Sequence, residues 1–129
     1  MNKKGVALLL AIFTLLIVSL LAVAFLEVTT SDLQIINNHY NRNKALYIAE
    51  AGVEFLIDRL ERNRSNFSLR SYTFPAGSGD SYAVEYSATS GIIISTGRLA
   101  SGEQVTLQVK VAATGSRPYT VKILYWKEG

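Results

Sequence analysis

The sequence contains no cysteine, only one histidine and only two prolines in 129 residues. Without cysteine the chain has no disulfide framework, no thiolate zinc site and no cysteine nucleophile. The single histidine, His39, has no second imidazole with which to bind a metal. A chain of this length forms about one domain, which excludes multidomain enzymes. We therefore expect no enzyme activity, no cofactor and no metal.

The net charge of the chain is also small. The formal net charge is +3, and two of the positive charges, Lys3 and Lys4, lie at the N-terminus. The remaining 11 basic residues are nearly balanced by 10 acidic ones. Because binding to nucleic acid requires clustered basic side chains, the composition does not indicate a nucleic-acid partner.

The most prominent feature is an uncharged run of 21 residues, Val6 to Leu26. As a helix it would be about 31.5 Å long, which matches a bilayer core of about 30 Å. A cleaved secretory signal has a shorter apolar region, of about 7 to 15 residues, and ends at a small-residue cut site. The sequence therefore predicts a single-pass anchor. Lys3 and Lys4 predict a cytoplasmic N-terminus and an extracytoplasmic C-terminal domain.

Helical periodicity continues beyond this run. An apolar stripe at alternating steps of three and four residues predicts the helix face that packs on the rest of the domain. The stripe comprises Leu46, Ala49, Val53, Leu56 and Leu60. A continuous helix from Val6 to about residue 63 would be about 87 Å long, so half of it must be covered by lipid or by other chains. The asparagines between residues 37 and 43 predict either a weak point or a polar face.

After residue 63 the apolar period changes from 3.6 to 2. Alternation predicts strands around 82–86, 92–97, 105–111 and 119–126, with turn sequences between them. The predicted fold class is α+β, with one long helix packed on a small antiparallel sheet of four or five strands. We expect Tyr119, Val121, Ile123 and Tyr125 to share one face of the last strand. This favours a core position for the aromatic group Tyr119, Tyr125 and Trp126 over an exposed binding patch.

The N-terminus resembles the class III signal of type IV prepilins and pseudopilins. A short basic leader, Met1-Asn2-Lys3-Lys4-Gly5, is followed directly by the apolar helix. The resemblance implies that a prepilin peptidase recognises Lys3 and Lys4, cuts after Gly5 and methylates the new N-terminus at Val6. It also implies that the apolar segment stays on the mature protein and forms the core of a filament.

The segment from Ala45 to Glu54, with the sequence ALYIAEAGVE, resembles the region after the anchor in PilX-type minor pilins and K-type minor pseudopilins. One position departs from major pilins. They carry a glutamate at the fifth position after the cut, which pairs with the N-terminal amine of a neighbouring subunit, and this chain has Leu10 there. The resemblance therefore implies a minor subunit that starts the filament or caps its tip.

The resemblance also implies the organisation of the chain and its partners. We predict a leader at 1–5, a transmembrane and filament-core helix at 6–26, an amphipathic continuation at 27–63 and a sheet domain at 64–129. The implied partners are the prepilin peptidase, other minor and major pilins, the inner-membrane assembly platform and, before assembly, membrane lipid. The filament would carry the protein outside the cell. The residues expected to contact other subunits are Leu10, Phe13, Leu16, Leu20, Ala24, Tyr40 and Tyr47.

Several alternatives stay open at the level of the sequence. Glu50, Glu54 and Asp58 lie at steps of four and could suggest metal ligands, but a solvated helix face, or contact of the two glutamates with basic groups of adjacent subunits, explains them better. A DNA- or ligand-binding tip would require the basic residues of the C-terminal half to cluster. These are Arg98, Lys110, Arg117, Lys122 and Lys127. A plain single-pass membrane protein is the remaining alternative.

Overall fold

The computed structural model describes residues 2–129. The chain forms one long helix, α1 (Lys3–Arg62), followed by five strands. It divides into two compact units, the first ending at Asn38 and the second comprising His39–Gly129. The predicted α+β class, a long N-terminal helix packed on an antiparallel sheet, is confirmed. The helix runs without interruption through the asparagines, so no local melting is seen there.

In the first unit every described side chain is exposed. Asn2 precedes the helix, and its side-chain oxygen accepts a hydrogen bond from the backbone amide of Lys4 at 3.3 Å, as expected for an N-cap. The apolar part of α1 is long and apolar enough to cross a membrane. Its hydroxyl groups are satisfied within the helix: Thr14 donates to the carbonyl of Leu10, and Ser19 to that of Leu15, each at 2.8 Å. The segment therefore presents no unpaired hydroxyl to lipid.

The second unit contains a five-stranded antiparallel meander in the order β1-β2-β3-β4-β5. The strands are β1 (Phe67–Thr73), β2 (Ser81–Ser87), β3 (Ile92–Arg98), β4 (Gln104–Thr114) and β5 (Thr120–Glu128). Four of them correspond to the predicted strands, and β1 is the additional fifth. β1 and β5 form the two edges. Each edge pairing contains a β-bulge, between Phe67 and Arg70 at one edge and beside Lys110 and Val111 at the other.

The core of the second unit lies between α1 and one face of the sheet, which we call the inner face. The helix contributes Ala45, Ile48, Ala49, Gly52, Val53, Leu56 and Leu60. The sheet contributes mainly aliphatic side chains, among them Val84, Ile93 and Val109, all fully buried. Within the stripe predicted from the sequence, Ala49, Val53, Leu56 and Leu60 are buried and Leu46 is partly buried.

The helix and the sheet approach most closely where both lack side chains. A β-carbon at Gly97 of β3 would collide with the backbone carbonyl of Ala45 and the amide of Ala49. A β-carbon at Gly52 of α1 would collide with the side chains of Ser95 and Val84. Between the two glycines, the buried hydroxyl of Ser95 donates a hydrogen bond of 2.7 Å to the carbonyl of Ala49. Small residues thus set the distance between α1 and the sheet.

The last strand forms as predicted, and Val121 and Ile123 share its inner face, but the predicted position of Tyr125 on that face is wrong. β5 is exposed over most of its length, so Tyr125 and Trp126 do not complete the core, and Tyr119, just before the strand, is only partly buried. Ile123 lies opposite Val111, whereas Tyr125 lies opposite Lys110, because Leu124 is an extra residue in the ladder. This bulge places Ile123 and Trp126 on the inner face, and Tyr125 on the outer face.

Candidate functional site

The apolar surface of the first unit is the most extensive candidate interaction surface. The predicted filament contacts Leu10, Phe13, Leu16, Leu20 and Ala24 are all exposed. The residues of the predicted processing site, Lys3, Lys4, Gly5 and Val6, form the first turn of α1. Because an exposed apolar helix of this length is stable only in lipid or against other chains, this unit requires an apolar environment.

In the second unit, the side of α1 that faces away from the sheet carries exposed tyrosines. Tyr40 and Tyr47, both predicted to contact other subunits, are about two-thirds exposed. Glu54 and Asp58 are exposed as well, and Glu50 is partly exposed. Asp58 forms an ion pair of 3.1 Å with Arg62 one turn later. Within residues 2–129 no three histidine or acidic side chains come together as a metal site.

Polar contacts fix the first turns of this unit's helix to the sheet loops. The Lys44 ammonium lies 3.0 Å from the carboxylate of Asp80, a buried residue that also accepts the backbone amide of Ala100 at 2.9 Å. The hydrogen bond from Ala100 and the ammonium of Lys44 lower the pKa of Asp80 below its ordinary 3.8. This carboxylate therefore stays ionised at neutral pH and stabilises the loop after β3.

A second carboxylate joins the same loop to the helix. Glu103 accepts hydrogen bonds from the Ser101 hydroxyl and, at 3.2 Å, from the Asn41 amide. The hydrogen bond from Ser101, then that from its own backbone amide and last that from Asn41 lower the pKa of Glu103 below 4.5. At the same end of the strands, the guanidinium of Arg42 forms an ion pair with Glu128 of β5 at 2.6 Å.

An open groove lies between α1 and β5, which we call the β5 groove. It has a volume of about 410 Å³ and is lined by Glu50, Val53, Glu54, Ile57, Ile123 and Trp126. Ile123 and Trp126 belong to the inner face of the sheet, yet they are 49% and 54% exposed. The groove combines an apolar floor with two glutamates.

The outer face of the sheet has a different chemistry near the same edge. Lys122 lies opposite Ala112, Tyr125 opposite Lys110, and Lys127 opposite Gln108. Residues opposite each other in an antiparallel ladder share a face, so three of the basic candidates lie together on the outer face beside Tyr125. Arg98 is paired with Gln104, six positions along β4 from Lys110, and is not part of this group.

Sequence reasoning missed the opposite flank of the domain. β1 brings Phe67 and Tyr72 against Phe55 of α1, with ring centroids 6.2 and 5.0 Å from that of Phe55. Arg59 and Arg70 lie over the Phe67 ring at 4.6 and 5.6 Å. The bulge in β1 interrupts its alternation, which removed the period-2 signal by which the other strands were predicted.

Residues 4–54 match the family model described as PilX N-terminal. The resemblance to PilX-type, type IV pilin-like minor pilins is thereby confirmed.

The matched segment contains the apolar part of α1 and three of the α1 residues that line the β5 groove, Glu50, Val53 and Glu54. The match supports a protein of the type IV pilin family, whose members are structural subunits. The single apolar helix fits a single-pass membrane anchor in such a family. No curated protein and no solved structure matches the chain at a significant level.

Proposed function

We propose that this protein is a minor pilin that initiates a type IV pilus-like filament or caps its tip. The observation that carries the proposal is the PilX N-terminal match over residues 4–54, which coincides with an apolar helix exposed throughout the first unit. In the proposed assembly, Val6 to Leu26 leaves lipid and packs against the same segments of other pilins. The protein is not proposed to catalyse a reaction.

The position of Leu10 supports the terminal location in the filament. A carboxylate in an apolar environment is stable only beside a positive partner, and in major pilins that partner is the N-terminal amine of the preceding subunit. Leucine at this position provides no charge for that amine. A subunit without this contact needs no predecessor, which suits the first subunit of a filament.

The proposal includes processing and topology. The precursor is inserted with its N-terminus in the cytoplasm and its C-terminal domain outside. A prepilin peptidase removes the leader after Gly5 and methylates Val6. The mature protein then joins other minor and major pilins at the inner-membrane assembly platform. The proposed domain limits are 1–5, 6–26, 27–63 and 64–129.

The test is the mass and N-terminal sequence of the protein recovered from membranes that contain an active prepilin peptidase. We expect a chain that begins at methylated Val6. A chain that retains Met1, or one cut beyond Leu26, would contradict the proposal. A Gly5→Val variant serves as the control, because the bulkier residue at the cut site should leave the leader attached.

A second candidate function, DNA binding, is favoured by one observation. Lys110, Lys122 and Lys127 share the outer face with Tyr125, which combines positive charge with an aromatic surface. Retention of the full chain on DNA that falls as salt rises, and that is lost when the three lysines are changed to glutamine, would support this function. No retention at low salt would exclude it.

A further inference from the structure

The β5 groove exposes side chains that lie on the core-forming face of the sheet. Trp126 lies opposite Val109, which is fully buried, and Ile123 lies opposite Val111, which is also buried. Nevertheless, about half of the surface of Trp126 and of Ile123 is exposed. Apolar surface of this kind is stabilised when a partner removes it from water.

The charge of the groove specifies the partner further. Asp58, Asp80 and Glu128 each have an ion-pair partner in this unit. Within residues 2–129, neither Glu50 nor Glu54 has an ion pair or a side-chain hydrogen bond, and no basic side chain lines the groove. The positive charge that would complement these glutamates must therefore come from another molecule.

We propose that the β5 groove binds a neighbouring pilin subunit of the filament, through a lysine or arginine of that subunit that adjoins an apolar side chain. The apolar side chain packs on Ile123 and Trp126, and the cation pairs with Glu50 and Glu54. This inference rests on the proposed function. The β5 groove belongs to the second unit, so the proposed contact is additional to the contacts proposed for Val6 to Leu26.

The opposite flank of the domain shows that such a surface can be built on this fold. There, the guanidinium groups of Arg59 and Arg70 lie over the ring of Phe67, at the β1 edge. Because this protein is proposed to start the filament or cap its tip, the subunits next to it are other pilins, and we therefore choose a different pilin as the occupant. A second copy of this chain is the competing occupant, and the experiment separates the two.

The experiment uses the full chain in cells that produce the whole filament system. A photoreactive benzoylphenylalanine replaces Trp126 in one variant and Tyr125 in a matched control. The two residues are adjacent and are 54% and 53% exposed, but they lie on opposite faces of the sheet. We expect a covalent adduct with another pilin, identified by mass spectrometry, from position 126 and not from position 125.

The charge requirement is tested on the same photoreactive chain. Glu54→Lys should lower the yield of the adduct by up to about fivefold, since exposed ion pairs contribute up to about that factor in affinity. Glu54→Gln, which removes the charge without reversing it, should give a smaller loss. Glu61→Lys is the matched control, because Glu61 is exposed on the same helix but does not line the groove, and its adduct yield should be unchanged.

Equal adducts from both positions, no adduct from position 126, or a yield indifferent to Glu54→Lys would overturn the inference. An adduct with the mass of two copies of this chain would overturn the choice of partner. The wild-type chain separates these failures from that of the proposed function. If it is processed and found in the filament fraction while position 126 gives no adduct, only the inference fails. If it is neither processed nor incorporated, the proposed function fails.

Discussion

At the scale of single residues, the closest contact between helix and sheet depends on the absence of two side chains. Gly97 lies against the backbone of α1 at Ala45 and Ala49, and Gly52 lies against Ser95 and Val84. Both contacts join positions more than 30 residues apart in the chain. The sequence shows where each glycine is but not which distant residues it contacts. The role of these two glycines in packing the helix on the sheet was therefore not predicted.

Substitution of Gly97 should therefore be costly. In Gly97→Ala the new methyl group has no space against the helix backbone, and we expect the free energy of unfolding to fall by about 1–3 kcal/mol. Calorimetric unfolding of the full chain in detergent measures the change. Gly129→Ala is the control, since nothing lies near a β-carbon there, and its unfolding should match the wild type. An unchanged unfolding temperature for Gly97→Ala would contradict the described packing.

Asp80 gives a prediction about pH. Its pKa is lowered in the folded state, chiefly by the Ala100 amide and then by Lys44. Its contribution to stability is present above the unfolded pKa of 3.8 and is lost as pH falls through the lower folded value. Asp80→Asn should reduce stability at pH 7 and make stability less dependent on pH below about 4.

Denaturant unfolding of the full chain in detergent between pH 7 and pH 2 measures this effect. Glu103, whose pKa is lowered in the same direction, should maintain part of the acid dependence in Asp80→Asn. The double variant Asp80→Asn/Glu103→Gln should show less acid dependence than either single variant. Identical pH profiles for the wild type and Asp80→Asn would show that the loop is not held by this carboxylate.

At the scale of elements, the alternation of apolar residues predicted four strands and the helix face that covers them. Val105, Leu107, Val109 and Val111 alternate strictly and are all buried, so the pattern was sufficient for β4. The edge strands departed from the pattern because each is involved in a bulge. One extra residue changes the face of every side chain beyond it, and a sequence gives no sign of where that residue is placed.

The faces assigned to β5 can be tested with pairs of cysteines, because the natural chain has none. Trp126 and Glu54 both line the β5 groove, whereas Tyr125 lies on the outer face. A short bis-maleimide should therefore cross-link Glu54→Cys/Trp126→Cys within one chain. The pair Glu54→Cys/Tyr125→Cys should remain unlinked. Gel mobility after proteolysis between the two sites reads the result, and the reverse pattern would show that the bulge is misplaced.

At the scale of the whole molecule, the sequence predicted an anchor followed by a small domain that packs α1 on a sheet. The second unit, His39–Gly129, has its own buried core of helix and sheet side chains, whereas the first unit buries none of its described side chains. Composition alone revealed this difference, because the long apolar run has no counterpart after Leu26. The β5 groove could not be predicted from the sequence, because its position depends on how β4 and β5 pair.

This division predicts the behaviour of a truncated chain. Residues 39–129 should fold without the first 38 residues, remain in the aqueous fraction and unfold cooperatively, because the core is contained in this segment. The full chain should stay with the membrane after carbonate extraction. Dispersed amide signals in the NMR spectrum of the fragment would confirm folding. A collapsed spectrum would show that the first unit is needed for the core.

The bulges at the two sheet edges affect how copies of the domain would contact one another when they are close together. If copies of this domain were held close together in one bilayer, as the proposed anchor would hold them, flat sheet edges would join by backbone hydrogen bonding into aggregates. Bulges twist both borders of this sheet out of register, and lysines flank one of them. Neighbouring domains would then contact one another through side chains, which differ between partners, and not through backbone hydrogen bonds, which do not.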